Sequence, residues 1–214
     1  MYMNNMIIDG AFVHIPITPS IETAVKITRG NKTDTYLIID NVEQNVFPFQ
    51  YGNGLYTIKV YQRARGAKYA LMLNNTINIK DTSKCWLYPT QLVWYNNRDI
   101  AELTKICGAK NPDNFYDYCF NKIKNSYFRA YRNKNNKNYI PDISKTIKKR
   151  KGTLFDKVSL FCALCRYNGF EAKYVTGYVK DRYHVWAEVK INNEWRIYDT
   201  KKYSKDEYVI ERTC

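Results

Sequence analysis

The chain has 214 residues, 45% hydrophobic and 25% charged, a globular balance that fits one domain or two small ones and excludes a large multidomain assembly. No run approaches the ~18 consecutive apolar residues of a membrane span, and the first ten residues lack a basic and then apolar leader, so the sequence alone predicts a cytoplasmic protein. The 34 Lys and Arg outnumber the 20 Asp and Glu, and the resulting charge of +14 lies mostly after residue 100.

The first part of the chain reads as β structure. Segments 23–28 (TAVKIT), 35–40 (TYLIID), 55–62 (LYTIKVYQ), 68–73 (KYALML) and 76–80 (TINIK) are short, β-branched and aromatic. Turn signals at Gly52-Asn53-Gly54 and Arg65-Gly66 separate them. This spacing predicts a small antiparallel β-sandwich-like module over 1–81, which pattern alone does not distinguish from a small barrel.

After residue 81 the texture turns helical, giving a second module over 82–214. Asp99 or a neighbour caps a helix carrying Ile100, Leu103 and Ile106, which Gly108 ends. A further helix begins near Pro112-Asp113 with Phe115, Tyr118, Cys119 and Ile123 on one face. Over 153–168 the apolar positions Leu154, Val158, Phe161, Leu164 and Cys165 recur at helical spacing, and Gly169 stops the run. Three strands follow, at 171–179, 184–191 and 195–199, with Asn192-Asn193 as a hairpin turn. The tail 201–214 leaves little room to complete a sheet.

Between the helices lies a basic stretch, 122–151, opening on Lys122 and closing on Lys151. It holds 11 basic side chains and one acid, Asp142, interleaved with Tyr127, Phe128, Tyr131 and Tyr139. Two readings fit: a solvated Lys/Asn-rich loop, or an electrostatic footprint for nucleic acid. The 23 Lys against 11 Arg favour the solvated loop, since Arg is the residue for bidentate phosphate contacts.

The six cysteines, Cys85, Cys107, Cys119, Cys162, Cys165 and Cys214, read as reduced thiols in a leaderless chain. Cys162 and Cys165 form a C-x-x-C inside a helical pattern, with no second pair. Only His14 and His184 are present, so no zinc set and no cofactor site is expected.

The chemistry-bearing pattern runs from Lys151-Gly152 into 153–166 (TLFDKVSLFCALCR), then 168–178 (NGFEAKYVTGY), 183–189 (YHVWAEV) and 195–200 (WRIYDT). In order and spacing these blocks resemble the transglutaminase-like superfamily, relatives of the papain-like cysteine proteases. The resemblance is strongest over 140–200 and extends weakly to 47–56 (FPFQYGNGLY). It implies an α+β fold with a central helix on an antiparallel sheet, preceded by the β module.

It also implies acyl transfer from glutamine carboxamide or peptide bonds, with protein or peptide partners. The nucleophile is a cysteine at the helix N-terminus in a G-x-C-x-D pattern, where the helix dipole and an imidazole lower its pKa. His184 matches the base and Asp199 its orienter. The matching stretch here is Gly152-Thr153-Leu154-Phe155-Asp156, with leucine at the nucleophile position. A hydrocarbon side chain forms no thioester, so the covalent mechanism does not run on this sequence.

Cys162 and Cys165 lie roughly 12 and 16 Å further along the helix at ~1.5 Å per residue, too far to substitute. Thr153 stands at the right helix end, but a hydroxyl is a poor nucleophile. Asp156 is expected to interact with the helix N-terminus. Without a thiol, His184 and Asp199 read as a structural pair retained in place. Trp186 and Trp195 read either as core or as a cleft wall, and no oxyanion donor is assigned, Gln91 being only a candidate.

Three functional readings follow. The first is a catalytically impaired transglutaminase-like protein that binds a protein or peptide. The second is an acyl transferase or cysteine peptidase inactivated by substitution at 154. The third is a nucleic-acid-binding protein using 122–151. Asp199-Thr200 in place of the family's Asp-Pro, and Val158 where many members have a small residue, point to drift.

Overall fold

The computed structural model describes residues 6–66, 68–126 and 138–214. The chain divides into two compact units, Met1–Cys85 and Trp86–Cys214. The first closes a few residues after 81 because the backbone N–H and hydroxyl of Thr82 both donate to the Asn53 side chain, and Cys85 N–H returns to Thr82 O.

The first unit holds two antiparallel sheets. One joins β1 (Ile7–Asp9), β2 (Phe12–His14) and β5 (Val46–Pro48). The other has the order β4 (Lys32–Leu37), β3 (Thr23–Arg29), β6 (Gly54–Arg63), β7 (Tyr69–Ile79). Along β6, Tyr56, Ile58 and Val60 are buried and the residues between them are not, the two-residue period of a half-buried strand. The separate strands expected at 68–73 and 76–80 are one strand, β7. Asn74 and Asn75 continue it because each pairs across the ladder, with Lys59 and Ile58 of β6.

The second unit starts with an irregular segment and then α1 (Asn97–Cys107), capped by the Asn96 side chain, which accepts from Arg98 N–H, and ended by Gly108 at φ +81°. The short α2 (Pro112–Asp117) runs into a wider helical turn, Tyr118–Lys122. Next come β8 (Lys124–Asn125), α3 (Ile143–Lys149), β9 (Lys151–Gly152) and α4 (Leu154–Tyr167). The last four strands are β10 (Ala172–Val179), β11 (Arg182–Ile191), β12 (Glu194–Tyr198) and β13 (Tyr208–Thr213), ordered β12-β11-β10-β13 and antiparallel throughout. This is the α+β arrangement of a central helix on an antiparallel sheet.

The tail therefore does complete the sheet, contrary to the expectation from its length. β13 pairs with β10, and a bulge between Thr176 and Gly177 adjusts the register. Gly177 makes this possible, because a Cβ there would lie 2.0 Å from Val209 O. Both two-residue hairpin turns of the sheet have positive φ at their central residues, Lys180-Asp181 and Asn192-Asn193, as type I′ turns require.

α4 is the core element. Val158, Leu160, Phe161, Cys162, Ala163, Leu164 and Cys165 are all fully buried. Facing it from the sheet are the small buried residues Val185, Ala187 and Val189, whose size lets the helix sit close. The Tyr198 ring, on the same face through its pairing with Ala187, packs 5.0 Å from the Phe161 ring.

Candidate active site

The start of α4 is built by one carboxylate. Thr153 is the N-cap, and Asp156 accepts from both its N–H and its hydroxyl at 2.8 Å, while Thr153 Oγ1 accepts from Asp156 N–H at 3.3 Å. This is a reciprocal capping box. Asp156, 5% exposed, also accepts from Tyr139 OH at 2.8 and 2.9 Å and from Asp142 N–H at 3.2 Å. The Thr153 hydroxyl is thereby committed to the cap.

Leu154 is the first residue of α4 and is half-buried. Its position at the positive end of a buried 14-residue helix is the electrostatic setting in which a thiol would ionise readily, but its side chain has no ionisable group. Phe155, one position on, packs 5.6 Å from the Tyr139 ring and stacks at 6.3 Å on Tyr183, the residue before His184. Tyr178 adds an edge contact to Tyr183 at 5.6 Å. A row of four half-buried aromatic rings thus lies beside the helix N-terminus.

His184 and Asp199 are brought together. His184 Nε2 lies 2.9 and 2.8 Å from the two carboxylate oxygens, and its Nδ1 makes no hydrogen bond among the described residues. With Asp199 ionised, Nε2 is the donor of this bond. Asp199, with its side chain 2% exposed, also accepts from Tyr208 OH at 3.1 Å and Thr200 N–H at 2.6 Å. Burial pushes the Asp199 carboxyl up, but the hydrogen bonds and charge of His184, with Tyr208 and Thr200, outweigh it and hold the group below the usual carboxylate range.

The pleat sets the faces of the sheet. Tyr183, Val185, Ala187 and Val189 share the face toward α4, and His184 and Trp186 project from the opposite one. There Trp186, fully buried, packs with Val175, Val179, Ile197, Tyr203 and Tyr208. Trp186 is core rather than cleft wall. Trp195 is half-buried and carries Lys173 Nζ at 3.6 Å from its ring centroid. From the first turn of α4 it is Phe155, the residue after Leu154, that reaches this end of the sheet, through its ring pair with Tyr183.

The other candidate groups lie elsewhere. Cys119, Cys162, Cys165 and Cys214 are fully buried, and burial pushes each thiol up, Cys162 to about 12. Burial likewise raises Cys107, to about 11. None is a ready thiolate. Gln91 is 1% exposed, in the segment that packs on α4 through Ser159 Oγ donating to Leu92 O at 2.6 Å. Of the basic stretch, residues 127–137 lie outside the described residues.

Residues 101–200 match the family model of the transglutaminase-like superfamily. Among solved structures, the crystal structure of a "putative cysteine protease" from Cytophaga hutchinsonii is similar with a TM-score of 0.53 at 18% identity, covering 91% of this chain and 77% of that one. A crystal structure of a "putative protease" from Parabacteroides distasonis overlaps at a TM-score of 0.33 and 10% identity, over 70% of this chain and 37% of that one. No curated protein matches the sequence. Residues 101–200 are thus similar to the transglutaminase-like superfamily, and the chain has a papain-like α+β fold.

Proposed function

We propose that this protein is a transglutaminase-like domain that has lost the covalent step and binds a protein or peptide segment beside the N-terminus of α4. The observation that carries this reading is Leu154 at the first position of the helix, where the family resemblance calls for cysteine. Acyl transfer through a thioester needs a group that can attack carbon and later leave, and leucine offers neither. The buried, raised thiols elsewhere in the second unit supply no substitute.

What remains favours recognition of an apolar or aromatic side chain. Phe155, Tyr183, Tyr178 and Tyr139 present half-buried rings next to the vacant chemistry, and such rings contribute contact area at low entropic cost. In a relative with cysteine at 154, the thiolate would attack the acyl carbon, His184 would act first as base and then as acid, and Asp199 would orient the ring.

Amine incorporation into a glutamine-containing protein, and cleavage of a peptide pool, test this reading with the protein and with Leu154→Cys. The protein is expected to be inactive in both assays and the variant active in one. Activity in the unmodified protein, abolished by His184→Ala, would overturn the proposal.

A further inference from the structure

The basic stretch is not absorbed by this reading, and its two ends meet in the fold. β8 and β9 form a parallel pair in which Lys124 stands opposite Lys151 and Asn125 opposite Gly152. The link is made by Lys124 N–H donating to Arg150 O at 3.0 Å and Ser126 N–H donating to Gly152 O at 2.8 Å. Segments more than twenty residues apart in sequence are thereby fixed side by side, one carrying Lys122 and Lys124 and the other Lys148, Lys149, Arg150 and Lys151.

All six of these cations are exposed, and none makes an ion pair among the described residues. The acids nearby are committed. Asp142 caps α3 by accepting from Lys145 N–H, and Asp156 is buried in the α4 capping box. Lys148 and Lys149 complement the C-terminus of α3, which accounts for two of the charges. It gives no reason for Lys124 to face Lys151, an arrangement of like charges on neighbouring strands that costs free energy in isolation.

We propose that this patch is a docking surface for the phosphodiester backbone of nucleic acid, bound without base readout. Three features favour that partner. The patch is five lysines and one arginine, so it meets phosphates as point charges, without the bidentate contacts of an arginine-rich footprint, which fits backbone neutralisation without base readout. A phosphodiester chain also releases condensed counterions on binding, which adds affinity for a lysine cluster. Finally, no exposed large hydrophobic residue falls within 122–126 or 141–152, whereas a membrane-binding surface needs an apolar face to enter the lipid interface. Lys151 lies three residues before Leu154, but the test of the patch reads nucleic-acid binding alone and does not depend on the fate of that reading.

The full chain is titrated with a labelled single-stranded DNA of about 20 nucleotides and with the matching duplex, at 50 and 200 mM salt. With about five phosphates neutralised, single-strand affinity is expected to fall about a hundredfold over that range. Lys124→Glu/Lys151→Glu is expected to weaken binding at least tenfold and flatten the salt dependence. A second variant, Lys122→Glu/Lys149→Glu, leaves the β8–β9 pair untouched and is expected to behave alike. No binding to either nucleic acid at 50 mM salt, or binding that both reversals leave unchanged, overturns the proposal. Binding to vesicles containing phosphatidylserine, without binding to either oligonucleotide, also overturns it and assigns the patch to a membrane surface.

Discussion

Both carboxylate oxygens of Asp199 lie within 2.9 Å of His184 Nε2, while the same carboxylate takes the Tyr208 hydroxyl and the Thr200 N–H. Because the native carboxyl titrates below its unfolded value, its contribution is fully present above pH ~4 and is lost as the pH falls through the native pKa. Thermal unfolding between pH 6 and 2 is therefore expected to show a stability loss that Asp199→Asn lacks. At pH 7 the same variant is expected to be less stable by about 1–3 kcal/mol. Equal pH slopes for the two proteins would refute the linkage.

Asp156 is expected to be among the most sensitive positions in the second unit. Asp156→Ala removes the helix cap, worth about 1 kcal/mol, and strands the Thr153 and Asp142 N–H groups and the Tyr139 hydroxyl. A loss of about 2–4 kcal/mol by denaturant unfolding is expected, against about 1 kcal/mol for Thr153→Ala.

The first turn of α4 and the strands up to Asp199 were legible because their information is local: Thr153 and Asp156 three residues apart, an apolar helical stripe, and β-branched runs around the Asn192-Asn193 turn. What was not legible depends on distant partners. Tyr139 joins Asp156 from 17 residues away, and Tyr208 reaches Asp199 only because β13 is present. β13 itself exposes Val209 and Ile210, so its pattern does not read as half-buried, and its place is set by the missing side chain of Gly177. The three-residue strands β1, β2 and β5 are too short to show a period. The Lys180-Asp181 turn lacks the usual Asn-Gly signal although it adopts the same φ values.

That dependence on Gly177 gives a third prediction. Gly177→Ala is expected to push β13 off β10 and destabilise the protein by about 1–3 kcal/mol, with amide exchange at 208–213 accelerating more than elsewhere. Unchanged protection of those amides would show that the bulge relaxes without loss of the strand.

Arg166 is 2% exposed and donates to Ala172 O, Tyr88 O, Thr90 Oγ1 and Cys214 O. It ties the segment before α1 and the end of β13 to α4 without a carboxylate side chain as partner among the described residues. Arg166→Met keeps much of the volume but strands buried acceptors, and a loss of about 3 kcal/mol is expected from denaturant unfolding. Lysine is not expected to rescue, since one ammonium does not reproduce the guanidinium fork.

The proposed function places Leu154 at an otherwise activating nucleophile position. It is tested most directly by the iodoacetamide reaction rate of Leu154→Cys at pH 6, with the unmodified protein and Leu154→Cys/His184→Ala as references. Alkylation at residue 154 is expected to be at least tenfold faster than at an ordinary thiol of pKa ~8.5, with a large part of it lost with His184 and no fast-reacting thiol in the unmodified protein. A cysteine at 154 that reacts at the ordinary rate would contradict it.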